Sequence, residues 1–378
     1  MKITVRELNR ATLARQLLLT REPLGVGDAV RRVLALQAQQ PASPYLALWN
    51  RLAGFAPADL DAAFADRTLV KATLLRITLH AVHAEDYPMV REAMRPTLYA
   101  SRLGHRFAAA GLTPADAVEL EPGLLEFAQE PRSNGDMTAW LAERVGEESK
   151  DGAWWGMRAY APLVHVPTGG PWSFGTSPAY VAAPEGRFAG EPASEEALKA
   201  LVLRYLDAFG PASIADVAQF ATVQRARVRK ALQALSDAVE QVEGPDGTAL
   251  FDIPGAPRPP GDTPAPPRLM AMWDGVLLAY ADRSRVIPPE YRKLVTRING
   301  DVLPTLLVDG EVAGVWRPVE DGIEATAFHD LPPEAWDGLA EEARALMSLL
   351  ADRDPRAYSR YGHWWAKLPE AEVRILPG

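Results

Sequence analysis

Apolar positions along the chain follow two rhythms, one recurring every three or four residues and one recurring every two. Leu8, Leu13, Leu17 and Leu18 stand near helical spacing behind Thr4 and Glu7, a capping-box pair, and predict a helix over 4–19. Gly25 and Gly27 mark a turn. Val30, Val33, Leu34 and Ala38 then predict a short amphipathic helix over 26–36. Residues 44–52 and 60–65 read as two more helices, the second opened by Pro57-Ala58-Asp59. The run 69–82 (LVKATLLRITLHAV) is rich in leucine and β-branched residues and reads as extended chain. Helices followed by a β element are the order of a winged helix, a helix-turn-helix variant whose hairpin flanks the reading helix.

The order recurs. Short helices are expected at 123–129, 137–145 and 154–160, followed by Gly/Pro-interrupted extended chain over 163–181 that resembles a long wing. Helices at 195–209, 213–221 and 225–235 form a clearer trihelical unit, with Gly210-Pro211 and Thr222-Val223-Gln224 as its turns and 239–253 as its wing. Residues 253–267 (IPGAPRPPGDTPAPP) are the strongest boundary signal in the chain. Beyond it, 269–273, 305–308 and 311–316 read as strands, Asp309-Gly310 is a type I′ hairpin signal, and a helix closes the region at 332–350. The fold class expected is therefore α+β, divided at 1–110, 111–190, 191–257 and 258–378, the last a mixed module.

Length narrows this further: 378 residues exceed one ordinary core and suggest roughly two to four domains. Hydrophobic residues at 48% and charged ones at 24% fit a soluble globular protein. Without cysteine there are no disulfides, zinc thiolates or iron–sulfur clusters. No apolar run approaches the ~20 residues of a membrane span, and residues 1–8 lack a signal-type apolar core, so a cytoplasmic, nucleoid-associated protein with no membrane partner is expected.

The formal net charge of -9 opposes indiscriminate nucleic-acid binding but leaves room for a local basic groove. Arg225, Arg227, Arg229 and Lys230 crowd the third unit's last helix. Arg91, Arg95, Arg102 and Arg106 form a second run on what reads as one helix. Arg283, Arg285, Arg292, Lys293 and Arg297 form a third. Any one cluster reads as a solvated face; three of them beside helix-turn-helix-like units point to phosphates.

Candidate chemistry concentrates at Leu36-Gln37-Ala38-Gln39-Gln40-Pro41. Pro41 and Pro44 disfavour helical geometry at the residues before them. On a helix Gln37 and Gln39 would diverge; on extended chain they share a face. Amides donate and accept hydrogen bonds without titrating, so this pair can orient water or a base edge but cannot act as a general base. A helix terminus capped by its own side chains is the plainer reading. Elsewhere the signals favour structure. His80 and His83 lack a carboxylate at zinc-hydrolase spacing. Gly25-Val26-Gly27 lacks the third glycine and the strand of a dinucleotide site. No Walker loop or nucleophile elbow occurs. Asp274, Asp282 and Asp301 read as ion pairs or caps, and His363, Trp364 and Trp365 as structural.

The glutamine stretch, placed before a winged-helix pattern, resembles the Q-Φ-Q motif of the AlkZ family of bacterial DNA glycosylases, with Ala38 as a small Φ. Further matches, in the family's order, are Arg76-Ile77-Thr78-Leu79-His80 with Ala84-Glu85-Asp86-Tyr87, Trp273-Asp274 with the run 278–285 (LAYADRSR), and Asn299-Gly300-Asp301 leading to Val308-Asp309-Gly310. The similarity spans essentially the whole chain. It implies three tandem winged-helix units curved into a C around a cationic, duplex-sized concavity with Gln37 and Gln39 inside it as catalytic residues. It also implies monofunctional excision of N7-alkylated purines and unhooking of interstrand crosslinks by a monomer without cofactor or metal, serving resistance to an alkylating natural product such as azinomycin.

DNA contacts are then expected from Arg76, Arg225, Arg227, Arg229, Lys230, Arg283, Arg285 and Arg297. A cleft-lining hairpin belongs to the family, and the turn signal puts it at 305–316 with Asp309 and Gly310 at its tip; the wing around Thr168-Gly169-Gly170 competes. Two rivals remain: a winged-helix regulator that binds DNA without cutting it, and a protein-interaction scaffold.

Overall fold

Helix Val5–Arg15 begins where Thr4 and Glu7 cap each other reciprocally, as the spacing predicts. The computed structural model describes residues 2–183, 190–369 and 371–377, so the expected division near residue 190 adjoins a stretch outside the described residues. Helices Val26–Val33, Ser43–Trp49 and Pro57–Ala65 follow, then an antiparallel hairpin, Leu69–Thr73 with Leu79–His83. The 69–82 run is thus two strands. It folds back through Leu75–Ile77, where Arg76 and Ile77 adopt φ of 54° and 56°.

A second series, from Tyr87–Tyr99 to Lys150–Tyr160, ends in the hairpin Leu163–Val166 with Ala179–Ala182. The basic run of residues 91–106 does not share one helix, because the chain breaks between Tyr99 and Arg102. Arg91 is buried and donates to the carbonyls of Ala159 and Tyr160, and Arg95 pairs with Glu92. A third series, Gly190–Phe209, Ile214–Ala221 and Arg225–Ala234, precedes the hairpin Glu240–Glu243 with Ala249–Asp252.

The first two hairpins join edge to edge through Lys71 and His165. Among the described residues this makes a six-stranded sheet in the order 36–37, 79–83, 69–73, 163–166, 179–182, 132–133. A separate five-stranded antiparallel sheet is built from the C-terminal region, with helix Pro333–Ala351 packed on it. Its centre is Trp316, fully buried, whose indole donates to Met270 O at 2.9 Å.

The cores ignore the proline-rich boundary. One cluster unites Leu13, Val30, Leu46 and Leu60 with Leu269, Leu306, Trp316 and Leu346, so the first helices and the C-terminal sheet share an interior. A second unites Val70, Val82 and Met94 with Leu201, Phe209 and Phe220. Residues 253–267 run along the first helix, where Arg6, Arg10 and Arg15 donate to the carbonyls of Gly261, Thr263 and Pro257 at 3.0, 2.6 and 3.2 Å. A segment with the composition of a free linker is a strap because three arginines satisfy its backbone acceptors. Buried bidentate pairs, Arg15 with Asp252 and Arg51 with Asp274, tie the same layers together.

Candidate active site

Leu34, with φ of 74°, ends helix Val26–Val33, three residues earlier than the apolar spacing suggests. The chain then runs extended as Leu36–Gln37 beside Leu79–His83, and Ala38 N continues the pairing to Leu79 O at 2.8 Å. Leu36 and Ala38 sink into the largest core, which turns Gln37 to the other side of the strand, while Gln39 stands in the bend that follows. Gln37 is 7% exposed, whereas Gln39 is open to solvent.

Both carboxamide oxygens turn towards the tip of the first hairpin. Gln37 Oε1 accepts from Arg76 Nη2 at 2.7 Å, and Gln39 Oε1 from the Leu79 amide at 3.4 Å. A guanidinium only donates, so the Arg76 contact decides which end of Gln37 is oxygen. Among the described residues neither glutamine Nε2 has a partner. The amino groups are what the pair has left to offer.

Arg76 itself is held from several sides. Its Nη1 lies 3.3 Å from Phe220 O and its guanidinium 5.1 Å from the Phe220 ring. Its Nη2 also lies 3.0 Å from His80 Nε2, while His80 Nδ1 is 3.0 Å from Thr78 O. Arginine donates and a carbonyl accepts, so His80 is the neutral Nδ1–H tautomer. Burial first, and Arg76 second, push the His80 pKa well below the usual histidine range. Burial, then Arg283, brings the Arg76 pKa down to about 10, which leaves it cationic at neutral pH. His80 is therefore a fixed acceptor in this network, and the described residues contain no group of three or more His, Asp or Glu able to hold a metal.

Gln39 also borders a cleft of about 750 Å³ between the first two hairpins. Lys71, Arg102, Arg158 and Arg360 bring positive charge to it, Trp155, Phe174 and Tyr180 bring ring faces, and Asp354 is the single carboxylate in the lining. Gln37 lies outside that lining. In the sheet, Leu36, Ala81, Lys71 and His165 form one cross-strand row and Gln37 with His80 the next, so Gln37 and Lys71 occupy opposite faces. Gln37 stands on extended chain and Gln39 in the bend after it, and only Gln39 reaches this cleft.

The remaining residues expected to bind DNA divide sharply. Arg225 and Arg229 are exposed, and Arg225 shares a shallow groove with Arg76, Thr222 and Gln224. Arg227 and Lys230 are engaged by Glu195 at 3.6 and 2.9 Å. Arg283 donates to Thr296 Oγ1 at 3.1 Å, and Arg297 to Leu294 O at 3.0 Å while lying over Trp364.

Arg285 is buried, 3.8 Å from the Tyr280 ring centroid and bonded to Pro211 O at 3.0 Å; it has no surface to give a phosphate. Asp309 and Gly310 do form the expected turn, with φ of 46° and 81°. Its tip, however, docks on the first helix: the Asp309 carboxylate meets Arg6 and Arg10, and Asn9 Nδ2 donates to Gly310 O at 2.7 Å. That hairpin is tied to the first helix and is absent from the lining of the cleft beside Gln39. The competing loop lines the cleft instead, through Thr168, Gly175 and Thr176. Sequence reasoning passed over Lys71, Trp155, Arg158 and His165, whose signal was submerged in apolar runs and an unremarkable helix.

The chain belongs to an enzyme class that acts on DNA bases: it is a member of the AlkZ-like DNA glycosylase family, matched over residues 30–349. It is 26% identical over 347 residues to an interstrand DNA cross-link repair glycosylase of Streptomyces sahachiroi, covering 87% of this chain and 92% of that protein. The solved structure of the Streptomyces sahachiroi DNA glycosylase AlkZ has the same fold, with a TM-score of 0.78 at 22% identity, covering 94% of this chain and 98% of that one. Among the described residues no helix is long and apolar enough to cross a membrane.

Proposed function

We propose that the chain hydrolyses the N-glycosidic bond of N7-alkylated purines in duplex DNA and unhooks interstrand crosslinks, acting as a monomer. Repair of such crosslinks is what the Streptomyces relative is named for; resistance to azinomycin-type alkylators is the corresponding role here. In this reading the helix-and-hairpin series at 1–110, 111–190 and 191–257 serve as three winged-helix units curved around the DNA. The region 258–378 braces them through the shared core. Arg225 and Arg229, together with Arg102 and Arg360 from the cleft, contact phosphates.

The observation that carries the reading is the pair of amides at the end of a short strand, one open beside a cationic cleft and the other oriented by Arg76. An N7-alkylguanine is already a cation, so its glycosidic bond has an activated leaving group and little acid assistance is required. What remains is to hold a water near C1′ and stabilise charge developing on the sugar, which preorganised neutral dipoles can do. Gln39, whose oxygen has only a long contact with Leu79, orients the water; Gln37, its oxygen committed to Arg76, donates from Nε2 to the sugar or base. Such a site is too weak for unactivated bases, and lesion selectivity follows from leaving-group quality. An open cleft also suits a base tethered to the opposite strand, which cannot swing freely into a closed pocket.

The test is release of free 7-methylguanine from a damaged duplex. Wild type releases the base, and a Gln37→Ala/Gln39→Ala double variant that binds the duplex normally does not. Full activity in that variant removes the glutamines from the mechanism.

A further inference from the structure

The cleft beside Gln39 contains an amine that hydrolysis does not use. Lys71 lies within strand Leu69–Thr73 and is 5% exposed. Its Nζ sits 4.1 Å from the Phe174 ring centroid, and among the described residues it has no carboxylate and no hydrogen-bond partner. A buried lysine ordinarily pairs with an acid, because an isolated ammonium loses its hydration. Here its cross-strand neighbours are Ala81 and His165, neither of them an acid. Burial lowers the Lys71 pKa to about 8, so an appreciable fraction of the amine is free base in a neutral buffer. The side chain lines the same cleft as Gln39. A desolvated amine against an aromatic face is the environment that turns lysine into a nucleophile towards carbonyl carbon.

We propose that Lys71 captures the abasic site left by base release, forming an imine with its C1′ aldehyde. The proposal rests on the glycosylase reading for the origin of that aldehyde. The Nζ lone pair adds to C1′ of the ring-opened sugar, and a proton passes from nitrogen to the new alkoxide, giving a carbinolamine. The C1′–O bond then breaks, water leaves and the carbon–nitrogen double bond forms. Addition of water reverses the sequence and returns free lysine and aldehyde, so no oxidant or co-reactant is consumed. The result is a covalent hold on a reactive product, a step beyond the purely hydrolytic cycle expected of the family. Arg102 and Arg158, in the same lining, keep the flanking phosphates in place meanwhile.

Borohydride reduction tests this, because it converts an imine to a stable amine. Wild-type protein is mixed with sodium borohydride and a duplex carrying one preformed abasic site, made by removing uracil enzymatically. The expected result is a covalent protein–DNA species whose modified peptide contains Lys71 by mass spectrometry. Its yield falls roughly tenfold or more in Lys71→Gln and Lys71→Arg, each checked for thermal melting and for binding the same duplex. No covalent species from wild type, or one mapped to another lysine, overturns the proposal. Peptide mapping on wild type decides the matter even where a variant fails to fold. Since the abasic site is supplied ready-made, trapping does not depend on base release: a protein that traps yet releases no 7-methylguanine refutes the function above and leaves this inference standing.

Discussion

Arg76 Nη2 stands 2.7 Å from Gln37 Oε1 and thereby decides what that glutamine can present to DNA. Gln37→Glu separates the two roles of the side chain. The carboxylate keeps, and strengthens, the contact with Arg76, but it has no amino group to donate. The expected outcome is a protein at least as stable as wild type in urea whose base release falls by about 10²–10³. Gln37→Ala should lose activity and also about 1–3 kcal/mol of stability, because a partly buried guanidinium loses the shortest of its acceptor contacts. Paired unfolding curves and single-turnover assays on a 7-methylguanine duplex check both; a Glu variant with wild-type rates would mean the amino group does nothing.

Gln39 is the converse case. It is exposed and its one contact is long, so Gln39→Ala should change stability by no more than about 0.5 kcal/mol. Base release should nonetheless drop by roughly 10²-fold if its carbonyl orients the water. The measurement is the rate at saturating enzyme, where a pure binding defect would vanish and a catalytic one would persist.

Position in the sequence made some of this readable and hid the rest. Pro41 and Pro44 oppose helix at the residues before them, which leaves open whether the helix ends between Gln37 and Gln39; the chain is already a strand at Leu36–Gln37 and bends at Gln39. The stop itself comes at Leu34 through a left-handed backbone angle that no spacing rule announces. Asp309-Gly310 reads as a tight turn because only such residues accept positive φ at both places. Where the tip goes is a different matter, set by Arg6, Asn9 and Arg10 on a helix about 300 residues earlier. Lys71 and His165 meet only through pairing of two hairpins' edges, which a local pattern cannot express. The charge of Arg285 was visible and its burial was not, since burial depends on Tyr280 and Pro211 arriving at the same place.

The placement of the two hairpins makes a clean contrast. A methyl group at Gly310 would lie 2.5 Å from Asn9 Oδ1 on a backbone with φ of 81°. Gly310→Ala should therefore cost about 1–3 kcal/mol by strain alone. In samples kept below the lowered melting temperature, it should leave DNA binding as it was. Shortening the loop over 167–178, which lines the cleft through Thr168, Gly175 and Thr176, should instead reduce base release with little change in melting. Calorimetry and the release assay on both variants tell the two hairpins apart, and a Gly310→Ala protein that melts normally but cannot act on DNA would reverse the assignment.

Acid should unfold the protein earlier than its carboxylates alone would suggest, because two imidazoles are kept neutral. His165 packs on Tyr180 with ring centroids 4.5 Å apart, and burial first, then Lys71 and Arg158, lower its pKa to about 3. His80, between Arg76 and Thr78 O, is lowered as well. In the unfolded chain both titrate near 6.5. The unfolded state thus binds more protons than the folded one below that pH, and the sign follows: stability is fully present above about pH 7 and declines as pH falls. Each histidine contributes at most about 1.4 kcal/mol per pH unit, and His165 less than that because the cleft admits some water. His165→Phe removes one of the two titrations while keeping an aromatic ring against Tyr180. Urea unfolding at pH 7 and pH 5 should show a smaller loss in this variant than in wild type, by about 1–2 kcal/mol. Equal losses in the two proteins would mean that the His165 ring takes up its proton in the fold as readily as in water, and that the cleft wall around Lys71 is wetter than its packing indicates.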